Sequence, residues 1–272
     1  MMQRFIVQLI PPDGFEVKGF PGFSSYSIVL DVLENQDPEL VKMRRVGKLQ
    51  TDFAVRPLKP GEGRVELDVT AFTSEVSLAL TRGIVSGYLE TKQGRFEVLR
   101  VEVEDVSAEE LLSSSFPVRK FSVRFHTPTF FRPRGGVRGG VFIPMPIPSR
   151  MLIGLHKVWS RFLGPMEDEL EREEFHKWLE SWAIVVSALK LRTKKIEDGD
   201  KFAVGFVGWA NFSANDSYYD PNFLRKVDAL LKLGEIVNVG GMRSKGFGVI
   251  SYRRQGEDEV GRKRRLALIE GS

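Results

Sequence analysis

The order of strand and helix patterns in the first half of the sequence constrains the fold more than any other feature. Apolar runs that predict strands occupy residues 4–10, 51–58, 63–72 and 95–106. Apolar residues at helical spacing occupy residues 25–35 and 74–89, with a shorter helical stretch at 37–45. The resulting order, β-α-β-β-α-β, is that of a ferredoxin-like unit.

The second half of the sequence has a similar order with longer insertions. Strand patterns occupy residues 119–128, 201–213 and 249–253, and helical patterns occupy residues 149–163, 172–191 and 221–236. The pattern at 172–191 predicts an inserted helix, with continuation into a strand as the alternative. The polar, proline-ended segment SSSFP at 113–117 predicts a boundary. We therefore expect an α+β protein with two tandem ferredoxin-like (RRM-like) domains, residues 1–115 and residues 116–272, the second with a glycine-rich loop.

Composition excludes several classes of site. The 272 residues include no cysteine, so disulfides, thiolate metal sites and cysteine nucleophiles are excluded. The three histidines, His126, His156 and His176, are scattered without an H-x-x-x-H pair, which argues against a zinc site and favours structural roles. We expect no metal and no organic cofactor. No apolar run approaches the ~20 residues of a membrane span and no N-terminal signal pattern is found, so we expect a cytoplasmic protein without a membrane partner.

Charge is segregated along the chain more strongly than the net charge of +4 indicates. Residues 111–166 contain no Asp or Glu, and they contain nine cations: Arg119, Lys120, Arg124, Arg132, Arg134, Arg138, Arg150, Lys157 and Arg161. Phe130 and Phe131 lie within this basic stretch beside Arg132, followed by the glycines Gly135, Gly136, Gly139 and Gly140. The pattern favours an electropositive face that binds a flexible polyanion such as RNA, and a solvated surface that lacks acids is the alternative.

A glycine-rich segment, NVGGMRSKGFGVI at residues 238–250, frames two cations, Arg243 and Lys245. Its spacing matches neither the phosphate-binding pattern G-x-x-x-x-G-K-S/T nor the dinucleotide pattern G-x-G-x-x-G. The segment also follows a predicted helix and precedes a predicted strand, which reverses the order found in nucleotide-binding loops. A nucleotide-dependent enzyme is therefore disfavoured. Two interpretations stay open: a turn that needs positive φ angles, and a loop that binds an RNA backbone.

Three segments, taken in order, carry a family resemblance. DPELVKMRRVGKLQTDFAVRPL lies at residues 37–58, VRFHTPTFFR lies at 123–132, and GGMRSKGFGVI precedes the last strand. Together with the tandem plan, they resemble the CRISPR repeat-processing endoribonucleases of the RAMP superfamily over nearly the whole chain. The resemblance implies cleavage of precursor CRISPR RNA within its repeat without a metal. In that chemistry the ribose 2′-OH attacks the adjacent phosphate and leaves a 2′,3′-cyclic phosphate and a 5′-OH.

The resemblance also implies which residues form the site. Many members use a tyrosine before the first helix, a histidine at or beyond the end of that helix, and a lysine slightly later. Tyr26 matches the tyrosine, and Lys48 is a reasonable match for the lysine. The place of the histidine is occupied by Met43, Arg44 and Arg45. The implied catalytic residues are Tyr26, Arg45 and Lys48, and we expect a slow reaction that depends on positioning and electrostatics, because arginine is a poor proton carrier. From the resemblance and from the acid-free basic stretch together, the residues expected to contact RNA are Lys42, Arg44, Arg132, Arg134, Arg138, Gly240, Gly241, Arg243, Ser244, Lys245 and Gly246.

Two functions from different classes follow from this pattern. The first is a metal-independent endoribonuclease acting on precursor CRISPR RNA, which the retention of Tyr26 and Lys48 favours. The second is a non-catalytic RNA-binding subunit of a crRNA-guided effector complex, which the missing histidine favours. A second copy of the chain, as a homodimer, is a further candidate partner. Two alternatives stay open for these residues. Tyr26 could only pack on the sheet, and Arg44, Arg45 and Lys48 could form a solvated basic turn.

Overall fold

The computed structural model describes residues 1–45, 52–133, 141–199 and 201–255. The elements of the first half are β1 (Met2–Ile10), α1 (Pro21–Gln36), α2 (Pro38–Arg45), β2 (Phe53–Val55), β3 (Lys59–Gly61), β4 (Arg64–Ala71), α3 (Ser74–Val85), β5 (Tyr88–Thr91) and β6 (Gly94–Val106). The elements of the second half are α4 (Ala108–Ser113), β7 (Lys120–Thr129), α5 (Pro148–Phe162), α6 (Glu169–Glu180), β8 (Ile184–Asp198), β9 (Lys201–Ala214), α7 (Pro221–Val237) and β10 (Ile250–Arg254). Within these ranges no helix combines the length and the apolar character needed to cross a membrane.

Two antiparallel sheets organise these elements. The N-terminal sheet has the order β2-β4-β1-β6-β5, with β3 paired to β4. Its centre is β1, where Val7 lies opposite Leu67 on one side and opposite Val101 on the other. The C-terminal sheet has the order β10-β7-β9-β8. The α+β class and the tandem ferredoxin-like arrangement are thereby confirmed, whereas the domain boundary near residue 115 stays a prediction.

Helix α7 illustrates why the predicted elements form where they do. Pro221 occupies the first turn, where its missing N–H costs nothing. The Asp220 carboxylate caps the helix by accepting hydrogen bonds from two first-turn amides at 2.8 and 3.0 Å. Leu224, Val227 and Leu231 recur at helical spacing and are completely buried. The helix therefore packs its apolar face into the core and directs the chain into the glycine-rich segment.

Three helix boundaries differ from the sequence prediction. α1 begins at Pro21 instead of residue 25, because proline is well suited to a first helical turn. α3 ends at Val85, since Tyr88–Thr91 pairs with β6 as a strand. The pattern at 172–191 contains the end of α6 at Glu180 followed by β8, so the alternative with a strand is the correct one.

Two segments are packed differently from expectation. SSSFP is more ordered than a plain linker, because α4 extends to Ser113 and Ser115 is buried. The amide of Phe116 donates a hydrogen bond of 3.2 Å to the buried carboxylate of Asp228, which ties this segment to α7. Trp182 lies four residues after Trp178, at helical spacing, but it is 74% exposed, and its φ of 67° marks the turn between α6 and β8.

A small aromatic cluster joins the two halves of the chain. Large apolar clusters lie under each sheet, and between them Phe130 and Phe247 are completely buried. Phe20 and Phe23, at the start of α1, pack against this pair. The rings of Phe20 and Phe247 are 5.0 Å apart in an edge-to-face arrangement. Because Phe247 belongs to the glycine-rich segment, the cluster fixes that segment against the first helix.

Candidate nucleic-acid interface

The glycine-rich segment is anchored to the body of the protein. Asn238, at a φ of 61°, is buried and donates from Nδ2 to the carbonyl oxygens of Val55 at 2.9 Å and Arg243 at 3.3 Å. The amide of Gly241 donates to the carbonyl oxygen of Phe130 at 3.0 Å. A short 3-10 turn covers Arg243–Lys245. The segment is therefore a fixed turn with positive φ angles, which is one of the two interpretations from the sequence.

The glycines of this turn serve close packing. A Cβ added at Gly241 would lie 2.5 Å from the Phe130 ring, and a Cβ added at Gly246, where φ is 78°, would lie 2.8 Å from the Cα of Gly22. The amide of Gly246 donates a hydrogen bond to a carbonyl oxygen within the turn. The amide of Gly241 donates to the carbonyl oxygen of Phe130. These amides are thus already used inside the protein, and the contact of Gly241 and Gly246 with RNA stays a prediction. Ser244 is only 7% exposed, so it offers little surface for the expected RNA contact.

The two cations of the turn enter different clefts. Arg243 lines a cleft of about 420 Å³ together with Gly240 and Gly241. Lys245 lines a second cleft, of about 590 Å³, together with Tyr26. The turn therefore forms the ridge between two concave surfaces, which we call the basic cleft and the Tyr26 cleft.

Among the residues that the structure describes, the basic cleft is lined by four cations and by no carboxylate. The cations are Arg132, Arg150, Lys157 and Arg243, and the floor is formed partly by Ile153 and Gly154 of α5. Burial disfavours the charged guanidinium of Arg243 and lowers its pKa to about 10. An anion in this cleft would supply the counter-charge that the lining lacks. The cleft can therefore bind phosphate groups.

Two residues of the basic cleft were not assigned to a site from the sequence. Arg150 and Lys157 were recognised only as members of the acid-free stretch. They lie seven residues apart on α5, with Gly154 between them, so they occupy one face of the helix. In the sequence, two cations seven residues apart with a glycine between them on the same helical face could have identified Arg150 and Lys157 as residues of a cleft.

The Tyr26 cleft is formed by the loop after β1, by α1 and by the glycine-rich turn. Tyr26 lies in the second turn of α1, and its half-buried ring packs against Phe53 at 6.2 Å between centroids. Lys245 Nζ lies 5.3 Å from the centroid of the Tyr26 ring and 5.2 Å from that of Phe23. Lys18 is a second, exposed cation of the lining. Tyr26 thus packs on the sheet and also borders open space, so the structural and the functional interpretations are both compatible with its position.

Direct backbone contact holds α1 to the glycine-rich turn. A Cβ added at Gly22, in the first turn of α1, would overlap the carbonyl oxygen of Lys245 and lie 3.0 Å from the Cα of Gly246. Glycine is needed on both sides of this contact. The position of Lys245 relative to Tyr26 is therefore set by main-chain packing between the two halves of the chain.

The remaining candidate residues lie on α2 or outside the described part of the structure. Lys42, on α2, is exposed and forms an ion pair with Glu39 at 3.2 Å. Arg44 and Arg45 end α2, but their side chains, like the whole of Lys48, lie outside the described part of the structure. Arg134 and Arg138 also lie outside the described residues. The structure thus brings together Tyr26 and Lys245, a pair that the sequence did not link.

The described histidines lie away from the Tyr26 cleft. His126, on β7, hydrogen-bonds Ser251, and burial together with Arg124 lowers its pKa. His156 is buried and pairs with Glu167, and His176 Nε2 lies 3.0 Å from His156 Nδ1. Among the described residues, no group of three or more His, Asp or Glu side chains is placed to hold a metal ion. The structural roles expected for the histidines agree with these contacts.

The two sheets differ in how their charges are paired. On the N-terminal sheet, Asp68 is buried and pairs with Arg4 and Arg56. Arg4 also pairs with Glu104. On the C-terminal sheet, a cleft of about 420 Å³ is lined by four cations and an exposed tryptophan: Arg124, Lys190, Arg192, Lys194 and Trp209. The electropositive surface expected from the sequence therefore belongs to the second half of the fold.

A tandem ferredoxin-like protein whose described residues line two clefts with cations has the electrostatic features of the proteins that bind nucleic acid. Residues 123–250, which include the basic cleft and the glycine-rich turn, match the family described as CRISPR-associated endoribonuclease Cas6. This match confirms the resemblance to the CRISPR repeat-processing endoribonucleases that the sequence carries. No curated protein sequence matches the chain.

Solved structures share the fold along almost the whole chain. A Thermus thermophilus Cas6 in a product complex is 19% identical, with a TM-score of 0.70 over 93% of this chain and 100% of that chain. A second Cas6 product complex is 21% identical, with a TM-score of 0.70 over the same shares. A Cas6-related protein from Pyrococcus furiosus is 11% identical, with a TM-score of 0.56 over 94% of this chain and 100% of that chain.

Proposed function

We propose that this protein is a metal-independent endoribonuclease that cleaves precursor CRISPR RNA within its repeat. One observation carries the proposal: the glycine-rich turn places Arg243 in an acid-free basic cleft and Lys245 in the neighbouring cleft with Tyr26. A single RNA strand crossing the turn would meet a phosphate-binding surface and a phenol in succession. Similar structures include Cas6 product and substrate-mimic complexes and a RAMP protein that binds different RNA substrates, which supports RNA as the ligand.

The basic cleft supplies affinity for the phosphodiester backbone. Its four cations have no carboxylate among the lining residues, so an RNA phosphate gains charge-assisted hydrogen bonds without displacing an internal partner. Arg243, whose pKa is lowered by burial, gains most from an anion. Contacts of this kind position the RNA and do not by themselves read its sequence.

The cleavage chemistry uses a nucleophile that belongs to the RNA. When a 2′-OH attacks its own 3′-phosphate, a proton must leave O2′, a proton must reach the departing O5′, and charge must be stabilised on the phosphoryl oxygens. The Tyr26 hydroxyl is able to exchange one of these protons. No metal-bound hydroxide is needed, because no water attacks phosphorus in this step. Arg45 and Lys48 stay candidates for stabilising the charge.

The second candidate is a non-catalytic RNA-binding subunit of a crRNA-guided effector complex. The distribution of histidines favours it, because those that are described lie on the C-terminal sheet or in the α5–α6 contact and not beside Tyr26. A protein of this kind would use the basic cleft to hold processed RNA. Association with an effector complex or with a second copy of the chain is compatible with either function.

Incubation of end-labelled repeat RNA with excess protein in EDTA separates the two functions. We expect slow accumulation of one pair of fragments by the parent protein, and a lower rate for Tyr26→Phe, which retains the ring but lacks the hydroxyl. Binding is measured in parallel with the same RNA. Tight binding without any product after long incubation would contradict the nuclease function and support the effector subunit.

A further inference from the structure

We propose that Lys245 is a catalytic residue, supplied by the second half of the chain, whose ammonium group contacts the scissile phosphate. This inference rests on the proposed nuclease function and extends it. From the sequence, Lys245 and Arg243 are both expected to contact the RNA backbone, without a distinction between their roles. The geometry separates the two cations and gives Lys245 the position from which the reacting phosphate can be reached.

The side chain of Lys245 extends from the glycine-rich turn into the Tyr26 cleft. Its Nζ atom lies 5.3 Å from the centroid of the Tyr26 ring and 5.2 Å from the centroid of the Phe23 ring. In the absence of RNA, these rings give the ammonium a favourable cation–π environment. A phosphate that accepts a hydrogen bond from the Tyr26 hydroxyl would be within reach of the flexible lysine stem.

The main chain fixes this arrangement more firmly than side-chain contacts alone could. The Lys245 amide donates to the carbonyl oxygen of Met242 at 2.9 Å, which closes the turn. The carbonyl of Lys245 packs directly on Gly22, and Gly246 packs on the same residue. The lysine is therefore held at a defined distance from α1, the helix that carries Tyr26. Preorganised positioning of this kind is what electrostatic catalysis requires.

The charges around Lys245 suit an anionic substrate. Among the described residues that line the Tyr26 cleft, the other charged side chains are those of Lys18 and Glu16, and both belong to exposed residues of the loop after β1. Arg243, two residues before Lys245, lines the basic cleft instead. The 3-10 turn thus directs the two side chains into different clefts. In this proposal Arg243 binds the RNA backbone, and Lys245 contacts the phosphate beside Tyr26.

In the proposed step, O2′ forms a bond to phosphorus, and the proton of O2′ passes to water. The bond between phosphorus and O5′ breaks, its electron pair stays on O5′, and O5′ takes the proton of the Tyr26 hydroxyl, which solvent then restores. Lys245 keeps its protons and donates hydrogen bonds to a non-bridging oxygen, where negative charge accumulates in the transition state. The ammonium thereby offsets part of the loss of the family's histidine.

Comparison of Lys245→Met with Arg243→Met tests the assignment. Single-turnover cleavage is measured with saturating protein, and binding is measured with repeat RNA that carries 2′-deoxyribose at the cleavage position. For Lys245→Met we expect a saturated rate about 10²–10³-fold lower, as for the loss of one transition-state donor, with a much smaller change in dissociation constant. Arg243→Met should instead weaken binding more than it slows the saturated reaction. Lys245→Arg should restore part of the rate, because it retains the cation.

Controls distinguish failure of the inference from failure of the proposed function. Lys177→Met removes an exposed cation of α6 and should leave rate and binding at parental values, and thermal unfolding should show that each variant is folded. If the parent cleaves and Lys245→Met cleaves at the parental saturated rate, the catalytic role of Lys245 is overturned while the nuclease function stands. If the bound parent does not cleave at all, the nuclease function itself fails, and the role of Lys245 fails with it.

Discussion

His176 shows how a single half-buried group makes stability depend on pH. It lies in the contact between α5 and α6, with Nε2 3.0 Å from His156 Nδ1. His156 in turn pairs with Glu167, which also accepts a hydrogen bond from Lys226 at 2.9 Å. Desolvation, followed by the neighbouring His156, lowers the pKa of His176 from 6.5 to about 4. The folded protein therefore holds this imidazole in its neutral form.

The sign of the pH dependence follows from that shift. In the unfolded chain His176 takes up a proton near pH 6.5, whereas in the folded protein it does so only near pH 4. Its contribution to the free energy of unfolding is therefore fully present above about pH 6.5 and is lost as the pH falls toward about 4. Denaturant titrations at pH 7 and pH 5 should show a smaller decrease for His176→Asn than for the parent. Equal decreases in the two proteins would contradict the neutral, desolvated histidine.

At the scale of single residues, the sequence could not predict the directions in which the side chains of the glycine-rich turn extend. The sequence identifies Arg243 and Lys245 as cations between glycines, and it assigns both to the same role. Their separation depends on left-handed backbone at Met242 and Gly246 and on the contact between Gly246 and Gly22. A contact between residues more than 200 positions apart leaves no local pattern in the sequence.

At the scale of elements, the order of strands and helices was largely predictable, because the spacing of apolar residues along the sequence shows which face of an element is buried. The alternation in β6 and the helical spacing in α7 each follow from one face packed against a core. The errors occur where tertiary contacts override local pattern, as at residues 88–91, which pair with β6 instead of extending α3. The exposed Trp182 is a similar case, since its helical spacing from Trp178 ends at a turn.

The contact between α1 and the glycine-rich turn gives a prediction about Gly22. In Gly22→Ala the added Cβ overlaps the Lys245 carbonyl and lies 3.0 Å from the Gly246 Cα, so main chain must move. We expect destabilisation of about 1–3 kcal/mol, the usual cost of overpacking, measured by chemical denaturation.

Gly154→Ala is the matched control for that measurement. Gly154 is also helical, but a Cβ added there meets no atom within 4 Å. Alanine should therefore leave the free energy of unfolding unchanged or raise it by up to about 1 kcal/mol. Equal effects of the two substitutions would show that Gly22 is not a packing contact between the helix and the turn.

At the scale of the whole molecule, the two halves contribute different properties to one interface. Acids of the N-terminal sheet are paired with cations, as Asp68 is with Arg4, whereas cations without a carboxylate among the described lining residues line the clefts of the second half. RNA is therefore expected to follow the second half and to reach the first half only where Tyr26 lies. The acid-free stretch at residues 111–166 predicted which half is basic, but the fold was needed to show which of its cations converge.

The salt dependence of RNA binding tests this division. Replacing Arg150 and Lys157 with glutamine removes two cations of the basic cleft. If each contacts one phosphate of single-stranded RNA, the slope of log affinity against log salt should become shallower by about 1.4. The control pair Arg82→Gln and Lys177→Gln removes two exposed cations of α3 and α6. A slope that changes equally in both double variants would contradict a phosphate-binding role for the basic cleft.

The most direct test of the central claim is the chemistry of the cut itself. Repeat RNA and a matched RNA with one 2′-deoxyribose at the cleavage position are each incubated with the protein in EDTA, and the fragment ends are identified by mass spectrometry. Cleavage by 2′-OH attack predicts a 2′,3′-cyclic phosphate and a 5′-OH from the first RNA, and binding without cleavage of the second. Cleavage of the deoxy-substituted RNA at the same position, or binding of the all-ribose RNA without any cut, would contradict it.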